Sequence, residues 1–238
     1  MTRNLSKETE TQFEGFSPRL FQFLTELQAN NNREWFAENK SRYEEDLLKP
    51  SLAFVRAIAP GLRRLSPYLQ AIPKRMGGSL MRIYRDTRFS NNKDPYKNNV
   101  GIHFRHELGG DIHAPGYYLH LQTGECFTAA GIWMPPTEPL SMIRTAIVED
   151  PSYWKRVRDN KKFIARFRLD GESLKTAPRG FDPTHKMIED LRRKSFAGVA
   201  KIDQAALSKA SCVDEVLRTF SDAKPLMKYL CDALHQPF

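Results

Sequence analysis

The densest concentration of chemically capable side chains is the run Met81–Gly101, MRIYRDTRFSNNKDPYKNNVG. It holds Arg82, Arg85, Arg88, Lys93 and Lys97 among Tyr84, Phe89 and Tyr96. A guanidinium fork offers two parallel donors to the two oxygens of a carboxylate or phosphate, and a lysine adds a point charge. The Asn-rich loop from Ser90 to Asn99 supplies further donors. Read as a strand that reaches Arg88, the run places Arg82, Tyr84, Asp86 and Arg88 on one face. Such a face is wholly polar, so it lines a pocket or lies at the surface. A second basic loop, Lys175-Thr-Ala-Pro-Arg179-Gly-Phe, carries Arg179. The expected anion site is therefore built from Arg82, Arg85, Arg88, Lys93, Lys97 and Arg179. Tyr84, Asp86 and His120 are the acid/base groups available to it. The competing account is a solvated edge on which Asp86 pairs with Arg85 or Arg88.

Other chemistries find less support. His103, His106, His113 and His120 are dense enough to raise metal binding. On one strand, however, His103 and His106 point to opposite faces, and no HExxH helix is present, so no metal site is assigned. Ser79 and Cys126 lack an activating context, and neither a Walker loop nor a dinucleotide fingerprint occurs. No cofactor is named. Glu34 and Glu38 read as solvated helix charges, and the Trp35/Phe36/Tyr43 stripe as core.

The chain of 238 residues is 40% hydrophobic and 11% aromatic, enough for a sizeable core. Its net charge of +9 favours anionic partners: nucleic acid, an acidic membrane surface, or a phosphorylated or carboxylated small molecule. The excess is local. Residues 51–110 hold 11 Lys/Arg against 3 Asp/Glu, and residues 161–200 hold 10 against 5. Three widely spaced cysteines, Cys126, Cys212 and Cys231, read as reduced thiols in a cytoplasmic setting. No apolar run approaches the roughly 18 residues of a membrane span, so no membrane partner is expected.

These groups must be positioned by the elements around them. Residues 1–15 are polar and read as a mobile arm, with one α+β domain over 16–238. Ser17-Pro18 opens a helix with Leu20, Phe21, Phe23, Leu24 and Leu27 as its apolar stripe. Asn30-Asn31-Asn32 breaks it, a second helix follows from Arg33, and Pro50 kinks or restarts that helix. Strand patterns cover 79–84, 101–106, 116–122 and 126–134, the last two joined at Thr123-Gly124-Glu125. Helical patterns return at 139–148 and 152–157. The stretch 163–169 fits strand or helix, 171–183 is loop, 185–193 is helix, and 195–202 is a further strand. Residues 213–234 are helical with a break near Pro225. Helices, then strands, then helices predict an α+β fold: a mainly antiparallel central sheet with N-terminal and C-terminal helices packed against it.

Five ordered pieces, NNNREWFAENKSRYE (30–44), RIYRDTRFSNNKDPYK (82–97), GYYLHLQTGECFTAAGIWMPP (116–136), LKTAPRGFD (174–182) and KSFAGVAKI (194–202), resemble the domain of unknown function 2461 family of bacteria and fungi. Thr123-Gly124 stands where that family usually has Pro-Gly. The resemblance implies a single domain and supplies no activity. It also implies that Arg82, Tyr84, Arg85, Asp86, Arg88, Lys93, Pro95, Tyr96, Lys97 and Arg179 belong to the family's own signature, which adds Tyr96 to the ligand-binding set. Three functions follow as expectations. The first is a pocket for a small anionic ligand, the second a nucleic-acid-binding module, and the third a structural or partner-binding protein.

Overall fold

A computed structural model of the chain describes residues 12–88, 90–108 and 114–238. Ser17 caps the first helix through its hydroxyl, which accepts from the Arg19 N–H at 3.2 Å, and Pro18 occupies the first turn. This helix, α1 (Pro18–Ala29), buries all five residues of its predicted stripe. The asparagine triplet then does three separate jobs. Asn30 Nδ2 donates to the Glu26 carbonyl, Asn32 caps α2 (Arg33–Glu38) through the Trp35 N–H, and Asn31 turns outward to a distant segment. Next come α3 (Lys40–Arg42), a π-helical stretch (Tyr43–Leu48) and α4 (Lys49–Leu65), joined through residues in helical conformation. The expected kink at Pro50 is replaced by this wide turn just before it. A proline has no N–H for residue i−4 and its ring crowds that carbonyl, so a loosened turn lets the helix run through.

Among the described residues, five strands form one antiparallel sheet in the order β1-β2-β3-β5-β4. They are β1 (Val100–Arg105), β2 (Gly116–Gln122), β3 (Glu125–Ile132), β4 (Arg168–Asp170) and β5 (Phe196–Lys201). Thr123-Gly124 links β2 to β3, with Gly124 at a left-handed φ of 77° that the tight turn requires. Between β3 and β5 lie α5 (Thr137–Glu149), α6 (Pro151–Arg158), α7 (Lys161–Arg166) and α8 (Ile188–Leu191). The ambiguous stretch 163–169 thus divides into the end of α7 and the start of β4. The helix expected over 185–193 shrinks to α8, because Asp182 and His185 tie the preceding residues into turns. α9 (Gln204–Leu207), α10 (Cys212–Asp222) and α11 (Lys224–Ala233) close the chain. The result is an α+β fold.

The strands alternate strictly. Phe104, Tyr117, Leu119, Leu121, Ala130 and Phe196 point inward and are buried. Tyr117 stacks on Phe220 of α10 at 4.4 Å, and Phe104 meets Phe54 of α4. Phe13 is buried against Phe16 and Phe54, so the described part of the expected N-terminal arm is tied to this core; residues 1–11 lie outside the described residues. The opposite, outer face presents His103, Arg105, Tyr118, His120, Gln122, Phe127, Ala129 and Val199. No helix among the described residues is long and apolar enough to cross a membrane.

The basic run is not a regular strand. It pairs with its own return segment through isolated rungs. His103 N–H donates to the Ser79 carbonyl and Met81 N–H to Gly101, after which Lys97 donates to Ile83 and Arg85 to Pro95. Between the second and third rungs the register slips by two residues, absorbed by Asn98-Asn99. Pro95 offers no donor, and so no ladder propagates. The strand expected over 79–84 is therefore an irregular arm continuing the β1 edge. It docks on α1 and α2 through Tyr96, which stacks on Phe36 at 4.1 Å, and through Asn31. Asn31 Nδ2 donates to the Tyr96 carbonyl at 3.0 Å and Oδ1 accepts the Tyr96 N–H at 3.1 Å, as a strand neighbour would. Replacing Asn31 with alanine leaves both backbone groups unpaired. The expected cost is about 1–2 kcal/mol, with faster amide exchange at Tyr96 and Lys97 than in α4. Uniform exchange across the chain would show that the clamp does not hold the arm.

Candidate ligand-binding site

The basic side chains of the arm fall into two groups. Asp86 and Arg88 form a bidentate pair at the exposed end of the arm, Arg88 Nε to Oδ1 at 3.0 Å and Nη2 to Oδ2 at 2.7 Å. That pair, with the Arg88 N–H, holds the Asp86 carboxyl far below the usual range, so it is a poor base. Arg85 lies 3.8 Å from Asp94, and Lys93 Nζ donates to the Thr87 carbonyl. Tyr84 is exposed and leans on Tyr96 at 5.3 Å. On the face drawn from strand alternation, Asp86 and Arg88 thus pair with each other, and the Arg82 charge acts on the same carboxylate. Tyr96 anchors the arm instead of facing an anion, since its ring is buried among Phe36 and Tyr84.

Arg82 and Lys97 are different. Neither side chain makes a hydrogen bond or a close ion pair among the described residues. Lys97 is half-buried, and its ammonium is shifted below the ordinary lysine value, first by desolvation and then by the nearby Arg82 guanidinium. Two cations held together with one partly withdrawn from water form an incomplete electrostatic arrangement.

Arg179 sits elsewhere. Pro178-Arg179-Gly180-Phe181 is a turn closed by the Phe181 N–H on the Pro178 carbonyl at 3.1 Å, with Gly180 at a φ of 86°. Arg179 is exposed on this turn in the loop that follows β4, whereas the arm joins β1. Those strands are opposite edges of the sheet, roughly 19 Å apart at normal strand spacing. No hydrogen bond or ion pair joins Arg179 to the arm among the described residues.

Between these edges the outer face sinks into a cavity of about 320 Å³. Its floor is cut from small residues, Gly116, Ala129, Gly131 and Ala197, and its walls are Met81, His103, Tyr118 and Trp133, with Asp170 at the β4 side. Small side chains on adjacent strands leave this hollow, while the ring-bearing residues stand around it. Trp133 is held in place from behind. Met134 turns through a left-handed φ of 44°, and its N–H donates to Ser195 Oγ at 2.9 Å. His103 is kept neutral, its pKa pushed down to about 4 by burial and then by Arg105. Burial also pushes the Tyr118 phenol up to about 12. His103 and Tyr118 are therefore both neutral at neutral pH. Positive charge comes from the margin, where Met81 of the cavity wall precedes Arg82 in the chain.

His120 stands beside this cavity, on the face of β2 that carries Tyr118 and Gln122. Of the three acid/base candidates, it alone adjoins the hollow. His106 points inward, and its Nε2 donates to the Pro237 carbonyl at 2.7 Å, because Nδ1 accepts the Leu108 N–H. Among the described residues no three His, Cys, Asp or Glu side chains converge on a metal position; His113, like Phe89, lies outside the described residues. Cys126, Cys212 and Cys231 are buried free thiols, and burial raises their pKa values, so none is an activated nucleophile. Ser79 is occupied with the backbone of Gln70 and Ile72.

A basic α+β protein with an apolar hollow on the open face of its sheet, bordered by a cationic arm, is the class this geometry defines. The chain belongs to the domain of unknown function 2461 family: the family model, described as a conserved hypothetical protein, matches residues 19–229. Comparison with curated proteins and with solved structures gives no match.

The cavity was not among the sequence candidates. Its signal was available in GYYLHLQ, where Tyr118, His120 and Gln122 recur with a period of two and so share a face. The opposing small residues Ala129 and Gly131 follow the same period on β3.

Proposed function

We propose that the chain binds a small anionic ligand, phosphorylated or carboxylated, with its body on the outer sheet face and its charged group at Arg82 and Lys97. The observation that carries this is Lys97, a half-buried ammonium beside a second cation and without a carboxylate contact among the described residues. An anion placed there relieves the repulsion and replaces the lost hydration. A largely apolar hollow with a few convergent polar groups is the ordinary form of a small-molecule site.

A thermal-shift screen against phosphorylated and carboxylated metabolites tests it. A ligand at a hundredfold excess over its Kd stabilises the native state by about 2.7 kcal/mol, a rise of several degrees for a chain of this size. The shift should shrink in Arg82→Ala. Loss in Arg179→Ala as well would join both basic loops to one site. If no compound of either class raises the midpoint, the proposal fails.

A second reading has its own support. Tyr118, His120, Phe127 and Trp133 rise from an antiparallel sheet with Arg105 and Lys201 on the same face, an arrangement that suits stacking of single-stranded bases. Oligonucleotide retardation at low salt that collapses steeply at moderate salt would favour it over the small ligand.

A further inference from the structure

The outer face of β2 carries a connected row of side chains that the binding proposal does not use. Tyr118 Oη lies 3.1 Å from His120 Nδ1, and His120 Nε2 lies 3.1 Å from Gln122 Oε1. An amide oxygen only accepts, so Nε2 carries the proton and donates to Gln122. Nδ1 is then an acceptor, and the phenol donates to it. Asn99 Nδ2 approaches the same nitrogen at 3.5 Å, again as a donor. The imidazole is fixed by stacking on Phe127, with centroids 4.5 Å apart and planes 9° apart. Burial shifts the imidazole below the ordinary histidine value, so it rests neutral and free to accept at Nδ1, while the Gln122 hydrogen bond and the Glu125 carboxylate partly offset that shift.

The consequence is directional. With its own proton committed to His120, the Tyr118 oxygen keeps its lone pairs for the hollow it lines. Gly101 makes room for it, since a Cβ there would fall 2.6 Å from Tyr118 Oη and 3.0 Å from Met81 Sδ. Met81 is itself a cavity wall, so the phenol oxygen, the thioether and the hollow meet at one point. His120 is half-buried, and behind the phenol it offers a second proton acceptor.

We propose that the cavity is a proton-transfer site in which Tyr118 takes a proton from the ligand while passing its own to His120. This inference rests on the cavity being the ligand site. The ligand class is thereby narrowed to small planar anions that also carry a weakly acidic proton, such as an enol, a phenol or a carbon acid beside a carbonyl. In the step, the ligand X–H bond breaks and an O–H bond forms on Tyr118. The phenol's former O–H bond breaks and an N–H bond forms at His120 Nδ1. The products are the ligand's conjugate base and an imidazolium whose Nε2–H stays on Gln122. No oxidant, reductant or further reactant enters the balance. General acid–base groups of this kind contribute about 10²–10⁴ in rate.

Two measurements on the full chain test the proposal. Nitrogen-15 NMR of the wild-type histidines reads the His120 tautomer without any substitution. The Nε2–H form is expected, and an Nδ1–H form overturns the relay. The second probe is 4-nitrophenol, whose phenolate absorbs in the violet, titrated below its own pKa. Wild-type protein should bind it largely as phenolate. Tyr118→Phe and His120→Gln, checked for native circular dichroism, should bind it mainly as phenol, with the bound phenolate fraction down about tenfold. Binding to wild type as the neutral phenol overturns the relay and leaves the cavity as a ligand site. Binding as phenolate in all three proteins also overturns it. No binding to wild type removes both the cavity site and the relay.

Discussion

Replacing Asp190 with alanine is expected to lower stability by about 3 kcal/mol, the largest loss from any single charged side chain here. Asp190 is buried, with Oδ2 2.7 Å from Arg158 Nη1 and Oδ1 3.4 Å from Arg193 Nε. Arg144, also buried, donates to the carbonyls of Leu191, at the end of the same short helix, and of Arg193 just beyond it. Three guanidiniums thus surround α8, and Asp190 is the carboxylate among them that is withdrawn from water. Without it, Arg158 keeps Asp159, but Arg193 loses its counter-charge while still half-buried. The midpoint should fall by about 6–12 °C in thermal unfolding. The effect should reach the cavity, because Ser195, two residues past Arg193, holds the Met134 N–H, and Met134 follows Trp133 of the cavity wall. A loss below about 1 kcal/mol would mean that the arginines reach water freely and that α8 is held by packing alone.

The second large effect is a gain of stability with a loss of binding. Lys97→Met should raise the midpoint by a few degrees, about 1 kcal/mol, and weaken anion binding about 10- to 100-fold. The sign follows from the direction of the lysine shift. A cation whose folded pKa lies below its unfolded value of about 10.5 disfavours the folded state while it is charged. That penalty is fully present below the folded pKa and disappears as pH rises through it toward the unfolded one. The stability advantage of Lys97→Met over wild type should therefore be constant near neutrality and shrink in alkaline solution. Stability that falls in Lys97→Met at neutral pH would show that the ammonium already has a partner.

Much of the architecture was legible because it is written locally. The Ser17 cap, the α1 stripe and the alternation of β2 and β3 each depend on residues a few positions apart. The register slip at Asn98-Asn99 was not legible, because its cause is the docking of Tyr96 on Phe36 and of the Tyr96 backbone on Asn31, contacts that cross some sixty positions. The basic residues of the arm accordingly do not form one cluster. Asp86 and Arg88 pair at the exposed end, Tyr96 turns inward, and Arg82 and Lys97 remain together. Likewise, a period of two places Tyr118, His120 and Gln122 on one face, but whether helices cover that face is decided by the rest of the chain.

The shape of the cavity provides the most direct test. Ala129 lies on its floor, and a tryptophan there should fill the hollow, whose lining includes neither Arg82 nor Lys97. Calorimetric titration of Ala129→Trp with the compound that gives the largest thermal shift should show affinity reduced at least as far as in Lys97→Met, with the native circular dichroism retained. Undiminished affinity in the filled variant would place the ligand off the outer face and contradict the account.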